Sequence, residues 1–486
     1  MSGIMVQGTA SSVGKSLISA ALCRIFYKAG YKVCPFKSQN MSLNSYVTME
    51  GLEMGRAQVL QAEAAGIEPA AYMNPILLKP TSDRKSQVII NGRPYKTMDA
   101  VEYFEFKTTL KSMIKETYRK IEKKFDFVVI EGAGSPAEIN LKDNDIVNMG
   151  MAEIADASVI LVADIDKGGV FAAIYGTVML LEKSERERIK GIIINKFRGD
   201  KAILQNGVDM IEKLVNIPVV GIIPYMNVKL DEEDGASEIK SAVGGEVQIS
   251  VIKLPRISNF TDFDAFKFDE DVTINFITSP IEIGDADMLI IPGSKNTIED
   301  LRWLKASGFD VAIKTFKGIV FGICGGYQIM GSRIIDVEGW EVERGEVEEG
   351  LSIFDTETRF EGEKITKNVE GMALDCKVYG YEIHSGRTSE NKNPFVNIKN
   401  NTGETANYFD GDMAADKYYG TYLHGIFDSN EFRGKILNKI RKIKNIKEKT
   451  SLDLREKREE ELNKLEKIVR ENIDIEYMYK LLGEQI

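Results

Sequence analysis

The chain has 486 residues, 43% of them hydrophobic and 28% charged, the balance of a globular protein too long for one ordinary domain, so two or three domains are expected. Its formal net charge of −11 argues against a general nucleic-acid binder and a polybasic membrane-surface protein. Its four cysteines, Cys23, Cys34, Cys324 and Cys376, form no C-x-x-C pair, which removes support for zinc and thioredoxin-like readings. With no signal-peptide layout and no apolar run near the ~20 residues of a transmembrane helix, a reduced, cytoplasmic setting is expected.

In chain order, GIMVQG (3–8) reads as a buried strand, followed by GTASSVGKS, Gly8 to Ser16, and an amphipathic stretch over 15–30 that ends at Gly30. A glycine-rich loop between a strand and a helix N-terminus points backbone N–H groups at a bound anion. Lys15 is placed to reach the β- and γ-phosphates, and the Ser16 hydroxyl to bind Mg²⁺. The spacing departs from the usual phosphate loop: five residues rather than four separate Gly8 from Gly14, with Thr9 in place of the first glycine.

Further apolar runs follow at 125–132, 157–165, 190–197 and 217–224. Their continuous Val/Ile character predicts a parallel sheet covered on both faces, hence a doubly wound α/β domain. VVIEGAG ends one strand at Glu131, where a carboxylate suits Mg²⁺. IIINKFRGD ends another at Asn195 and Lys196, where an amide suits a purine edge. The Asn-Lys-x-x-x-Asp spacing is longer than the guanine-reading pattern of GTPases, which favours ATP.

A polar stretch at 227–246 reads as a linker, and a second α/β series follows at 247–255, 272–277, 286–293 and 318–324. That series ends in VFGICGGYQIMG, a strand–turn–helix pattern that lifts Cys324 onto an elbow between Gly322 and Gly325. A catalytic thiol needs a base, and a helix N-terminus favours the thiolate. Backbone N–H groups after Cys324, with those of PGSKNT (292–297), are candidates for an oxyanion hole. The two histidines, His384 and His424, are both candidate bases, and spacing alone does not choose between them. The Lys- and Glu-rich tail from about 430 reads as helical, with Leu462, Leu465, Ile468 and Val469 at helical spacing, a solvated amphipathic helix packed on the domain.

These residues together resemble the cobyric acid synthases, glutamine-dependent amidotransferases of cobalamin biosynthesis, over nearly the whole chain. The most specific segments are PFKSQNMSLNS (35–45), GRAQVLQAEAAG (55–66), MNPILLKPTSD (73–83), LPRISNFTDFD (254–264) and PGSKNT. The resemblance implies a dethiobiotin-synthetase-like phosphate-loop domain over 1–228, a linker over 229–248, a flavodoxin-like class I glutamine amidotransferase domain over 249–436 and a C-terminal helical segment over 437–486. It implies Cys324 as nucleophile and His424 as base. Around the nucleotide it places Lys15, Ser16 and Lys37, with Gly8, Thr9, Gly14 and Asn195 completing the expected nucleotide site, and with Ser16 and Glu131 toward Mg²⁺. Class I enzymes usually carry a Glu two residues after the histidine; here that position is Ile426, so a third member is not named and a Cys–His dyad stays open.

The implied reaction is ATP-dependent amidation of the b, d, e and g carboxylates of adenosylcobyrinic acid a,c-diamide, with glutamine as nitrogen donor and without nucleic acid or membrane partners. Two alternatives stand beside it. One is the sister enzyme cobyrinic acid a,c-diamide synthase, against which segments 35–45 and 254–264 weigh. The other is a non-catalytic partitioning-type ATPase with a binding domain, which gives no reason for the Cys324 elbow, PGSKNT and His424 together.

Overall fold

The computed structural model describes residues 3–81, 85–230, 244–389 and 392–484. Most of the expected linker, residues 231–243, lies outside them. The first domain is built on a six-stranded sheet with the order Val219–Pro224, Ile189–Phe197, Ser158–Asp164, Gly3–Gly8, Phe127–Glu131, Val33–Phe36. Every pairing in it is parallel, as continuous apolar strands buried on both faces require. The helix Lys15–Lys28 leaves the first strand through the glycine-rich loop and covers one face.

A second, smaller sheet was not legible in the sequence. Gln39–Met41, Ile76–Pro80, Lys85–Ile90 and Arg93–Asp99 pair in that order. Its outer strand, Arg93–Asp99, is largely exposed and polar, so it lacks the apolar run by which the core strands announce themselves. This sheet carries Lys79 and Gln87 toward the second domain.

The second domain centres on the order Val272–Ile277, Val247–Ile252, Met288–Ile291, Ile319–Ile323, Tyr418–Thr421, Asp412–Ala414. All pairings but the last are parallel, and the first five strands follow the 2-1-3-4-5 order of flavodoxin-like folds. A mostly antiparallel sheet, dominated by the long pair Glu357–Ala373 and Cys376–Thr388, is inserted before Tyr418.

The tail departs from the expected boundary and packing. The helix Asn430–Ile443 runs through the anticipated break at 436/437 and belongs to the second domain, where Arg433 pairs with Asp269 at 3.0 Å and Arg441 with Asp271 at 2.9 Å. The next helix, Leu454–Arg470, crosses to the first domain and lies on Lys15–Lys28. Leu462, Leu465 and Val469 are buried there, Arg24 pairs with Glu459, and Lys28 meets Glu466 at 3.1 Å. Beyond it Ile222 N–H donates to Asn472 O at 3.1 Å and Asp474 N–H to Val220 O at 2.7 Å, which covers the edge of the first sheet against pairing with another chain. Among the described residues no helix is long and apolar enough to cross a membrane.

Candidate active sites

Cys324 stands where the strand Ile319–Ile323 turns into the helix Gly325–Met330, with φ 51° and ψ −108°. A non-glycine residue held there is strained, and such strain clusters at functional turns. The glycines make the turn possible: a Cβ on Gly326 would come within 1.9 Å of Ile291 O, and one on Gly325 within 2.8 Å of the Ser294 backbone nitrogen. The same close approach brings PGSKNT against the elbow.

His424 follows the strand Tyr418–Thr421, the neighbour of the Cys324 strand, so register sets the two side by side. Its imidazole lies within electrostatic reach of the Cys324 sulfur, and its Nδ1 lies 2.7 Å from Asp262 Oδ2. Asp262 also accepts from Gly425 N–H at 3.0 Å. Burial alone would push the His424 imidazolium down; the Asp262 carboxylate and the Cys324 sulfur outweigh it and hold the pKa up at about 10. The orienting carboxylate therefore comes from the PRISNFTDFD segment and not from the position two residues after the histidine, where Ile426 is buried in the core. The segment stands out in the sequence, but Asp262 does not, because 162 residues separate it from His424.

His384 is set apart from the thiol's proton path. It stacks on Tyr422 at 3.7 Å between centroids, with Nδ1 2.8 Å from Gly386 O and Nε2 3.3 Å from Glu382 Oε2. Burial pushes its pKa below the ordinary imidazole value. It forms part of the wall of the cavity onto which Cys324 and His424 open.

Asp262→Asn is expected to lower glutaminase activity by about 10²–10⁴-fold, since a base without its orienting anion loses both geometry and imidazolium stabilisation. The stability consequence has a definite sign. A histidine held up at about 10, against ~6.5 unfolded, stabilises the fold fully below the unfolded value, and the contribution is lost as pH rises toward 10. Urea unfolding of both proteins across that range should show the largest gap near pH 6 and convergence at alkaline pH. A gap independent of pH would contradict the ion pair.

At the N-terminal site the loop Gly8–Ser16 is tightly built. A Cβ on Gly8 would meet Val13 Cγ2 at 2.6 Å, and Gly14 has φ 98°. Thr9 N–H donates to Val162 O at 2.9 Å. Lys15 Nζ reaches Ala10 O at 3.0 Å and Gly134 O at 3.2 Å, so its ammonium lies inside the curl of the loop. Ser16 Oγ donates to Glu131 Oε1 at 2.9 Å, and Lys37 Nζ pairs with the same oxygen at 2.9 Å. Burial would raise the Glu131 carboxyl; Lys37 and the Gln61 amide reverse this and hold it below the ordinary range. Asn195 supports the loop from beneath: its amide nitrogen donates to Val13 O at 2.8 Å, while its Oδ1 has no hydrogen-bond partner among the described residues.

The segment 37–45 joins the two sites. Lys37 begins at Glu131, and Asn40 donates to Gln58 at 3.2 Å, which in turn reaches Glu131 at 3.5 Å. At the other end Asn44 Oδ1 accepts from Phe260 N–H at 3.0 Å, and Ser45 N–H donates to Asn259 Oδ1 at 2.9 Å. The Asn259 amide nitrogen is 3.4 Å from either ring nitrogen of His424. One stretch of chain thus starts at the Glu131 carboxylate and ends one side chain from the His424 imidazole.

The combination defines a class: a phosphate-loop nucleotide-binding domain joined to a class I-type glutamine amidotransferase domain. Family models agree, matching residues 4–236 to the CobQ/CobB/MinD/ParA nucleotide binding domain and 248–432 to the CobB/CobQ-like glutamine amidotransferase domain. Cobyric acid synthase of Clostridium botulinum (strain 657 / Type Ba4) is 56% identical over 492 residues, covering 99% of this chain and 100% of the relative. Those of Clostridium tetani (strain Massachusetts / E88) and Clostridium acetobutylicum are each 53% identical, covering 99% of this chain and 99% of each relative. The chain belongs to the cobyric acid synthase family of glutamine-dependent amidotransferases.

Proposed function

We propose that this protein converts adenosylcobyrinic acid a,c-diamide to adenosylcobyric acid, amidating its b, d, e and g carboxylates with ammonia drawn from glutamine at the expense of ATP. What supports the reading most is likeness to cobyric acid synthases over nearly the whole chain, together with a thiol–imidazole–carboxylate array and a phosphate loop in one molecule.

At the second domain His424 takes the proton of Cys324, and the sulfur attacks the glutamine carboxamide carbon. The tetrahedral oxyanion is met by backbone N–H groups beside Gly325 and Ser294. Collapse breaks the C–N bond, and His424 returns the proton to the departing ammonia. Water then cleaves the thioester to glutamate and free thiol.

At the first domain a corrinoid carboxylate takes the γ-phosphoryl group of ATP, giving an acyl phosphate and ADP. Ammonia attacks the acyl carbon and expels phosphate. Lys15 and Lys37 neutralise charge on the transferring group, work that needs positioning more than covalent chemistry. The residues fit Mg²⁺, because Ser16 and Glu131 bring a hydroxyl and a carboxylate oxygen within 2.9 Å of each other, hard donors of the kind that ion takes. When bound, Mg²⁺ supplies charge neutralisation on the phosphates. Asn195 holds the loop in shape from beneath.

Parallel assays with ATP, Mg²⁺ and glutamine test the reading. The a,c-diamide should be consumed and cobyrinic acid left untouched. The opposite preference would assign the protein to the sister reaction.

A further inference from the structure

The glutaminase cavity is not made by the second domain alone. Lys79, from the small sheet of the first domain, and Thr81, just past the end of the same strand, line it together with Cys324 and His424. Lys79 Nζ pairs with Glu53 Oε1 at 2.9 Å, and Lys364 of the second domain pairs with Glu53 Oε2 at 2.7 Å. Ser45 Oγ also donates to Glu53 at 2.8 Å, so both carboxylate oxygens are taken. Lys295, from PGSKNT, donates to the neutral Gln87 Oε1 at 3.1 Å. Three ammoniums thus line this part of the cavity, two of them sharing the Glu53 carboxylate, a local excess of positive charge. Lys364 also lies within electrostatic reach of the Cys324 sulfur.

A second carboxylate, Glu341, stands in the same wall within electrostatic reach of Lys295. Glu341 accepts from Ile298 N–H at 3.1 Å and from the Thr297 hydroxyl at 3.2 Å, both neutral donors. Burial pushes Glu341 up to about 8, and burial with the charges of Lys364 and Lys79 pushes Lys295 down to about 7. Each would gain from an added partner of opposite charge.

Beside the amide that Cys324 attacks, free glutamine carries one carboxylate and one ammonium. Taking the glutamine-hydrolysing role above as given, we infer that the glutamine site is composite. Lys295, Lys364 and Lys79 of the first domain hold the α-carboxylate, and Glu341 takes the α-ammonium. Glutaminase specificity then depends on a residue of the other domain, so the substrate is held correctly only where the two domains meet.

Two fragments separate the contacts: glutaramate, which lacks the ammonium, and 4-aminobutanamide, which lacks the carboxylate. Their inhibition constants against glutamine hydrolysis are compared with the KM for glutamine in the full-length protein and in Lys79→Met, Lys295→Met and Glu341→Gln. Loss of one charge-assisted contact weakens binding by about tenfold or more. Lys295→Met and Lys79→Met should weaken glutamine and glutaramate to that extent and leave 4-aminobutanamide unchanged. Glu341→Gln should weaken glutamine and 4-aminobutanamide and spare glutaramate. Lys79→Arg should restore most of what Lys79→Met loses. Each comparison is internal to one protein, so a reduced active fraction does not disturb it. If Lys79→Met shifts all three ligands equally, or none, the composite site is wrong while the glutaminase assignment stands. If the unaltered protein hydrolyses no glutamine, the functional reading itself fails.

Discussion

Cys324→Ser should abolish glutamine-dependent amidation, by about 10³-fold or more, and leave ammonia-dependent amidation near its original rate. The substitution exchanges one chalcogen for another at an elbow whose backbone is fixed by the Gly325 and Gly326 contacts, so the fold is unchanged. A serine hydroxyl is a far weaker nucleophile than a thiolate at neutral pH. The activation of the corrinoid carboxylate does not use this residue. Steady-state rates with glutamine and with ammonium chloride, measured on the same preparation, read both halves at once. Equal loss with both nitrogen sources would break the division of labour.

The mirror variant is Lys15→Ala. It removes the ammonium inside the phosphate loop, where Lys15 now contacts Ala10 O and Gly134 O. Without it, amidation should fall by about 10²–10³-fold with either nitrogen source, the usual scale for losing one preorganised charge on a transferring group. Glutaminase activity should persist, because Cys324, His424 and Asp262 all belong to the second domain, and the loop Gly8–Ser16 to the first. Synthesis that survives this change would refute the phosphate-loop assignment. Loss of glutaminase activity as well would show the sites to be more tightly linked than the 37–45 segment suggests.

Most core strands of both sheets were legible because parallel strands buried on two faces read as unbroken Val/Ile runs, whereas the short strands Val33–Phe36 and Tyr418–Thr421 offered no such run. The elbow at Cys324 and the loop ending in Lys15 and Ser16 were legible because glycine at fixed offsets signals close backbone approach. What escaped has a common physical cause. The small sheet and the long antiparallel pair Glu357–Ala373 and Cys376–Thr388 are half-exposed, so their apolar signal is diluted by polar residues. Asp262 escaped because its partner is made by tertiary packing, and one carboxylate among 74 acidic residues carries no local mark. The docking of Leu454–Arg470 on the first domain escaped for a related reason. Its apolar stripe at Leu462, Leu465 and Val469 specifies that a face is buried, not which surface buries it.

The architecture brings together two distant segments of the chain. Residues 35–45 and 254–264 meet where Ser45 binds Asn259 and Asn44 binds the Phe260 N–H. They are the two sides of one interface, with Lys37 at the phosphate end and Asp262 at the glutaminase end. Substitution in either segment therefore bears on both reactions, and the composite cavity with Lys79 extends the same dependence to the glutamine itself.

The central claim is that ammonia made at Cys324 is the nitrogen joined to the corrinoid at the phosphate-loop site. Its most direct test supplies glutamine labelled with ¹⁵N in the side-chain amide, together with ATP, Mg²⁺, the a,c-diamide and a pool of unlabelled ammonium, followed by mass spectrometry of the product. The account predicts cobyric acid whose newly formed amides at b, d, e and g carry ¹⁵N well above the ratio in the bulk ammonium. Label diluted to the bulk ratio, or absent from those amides, would contradict it.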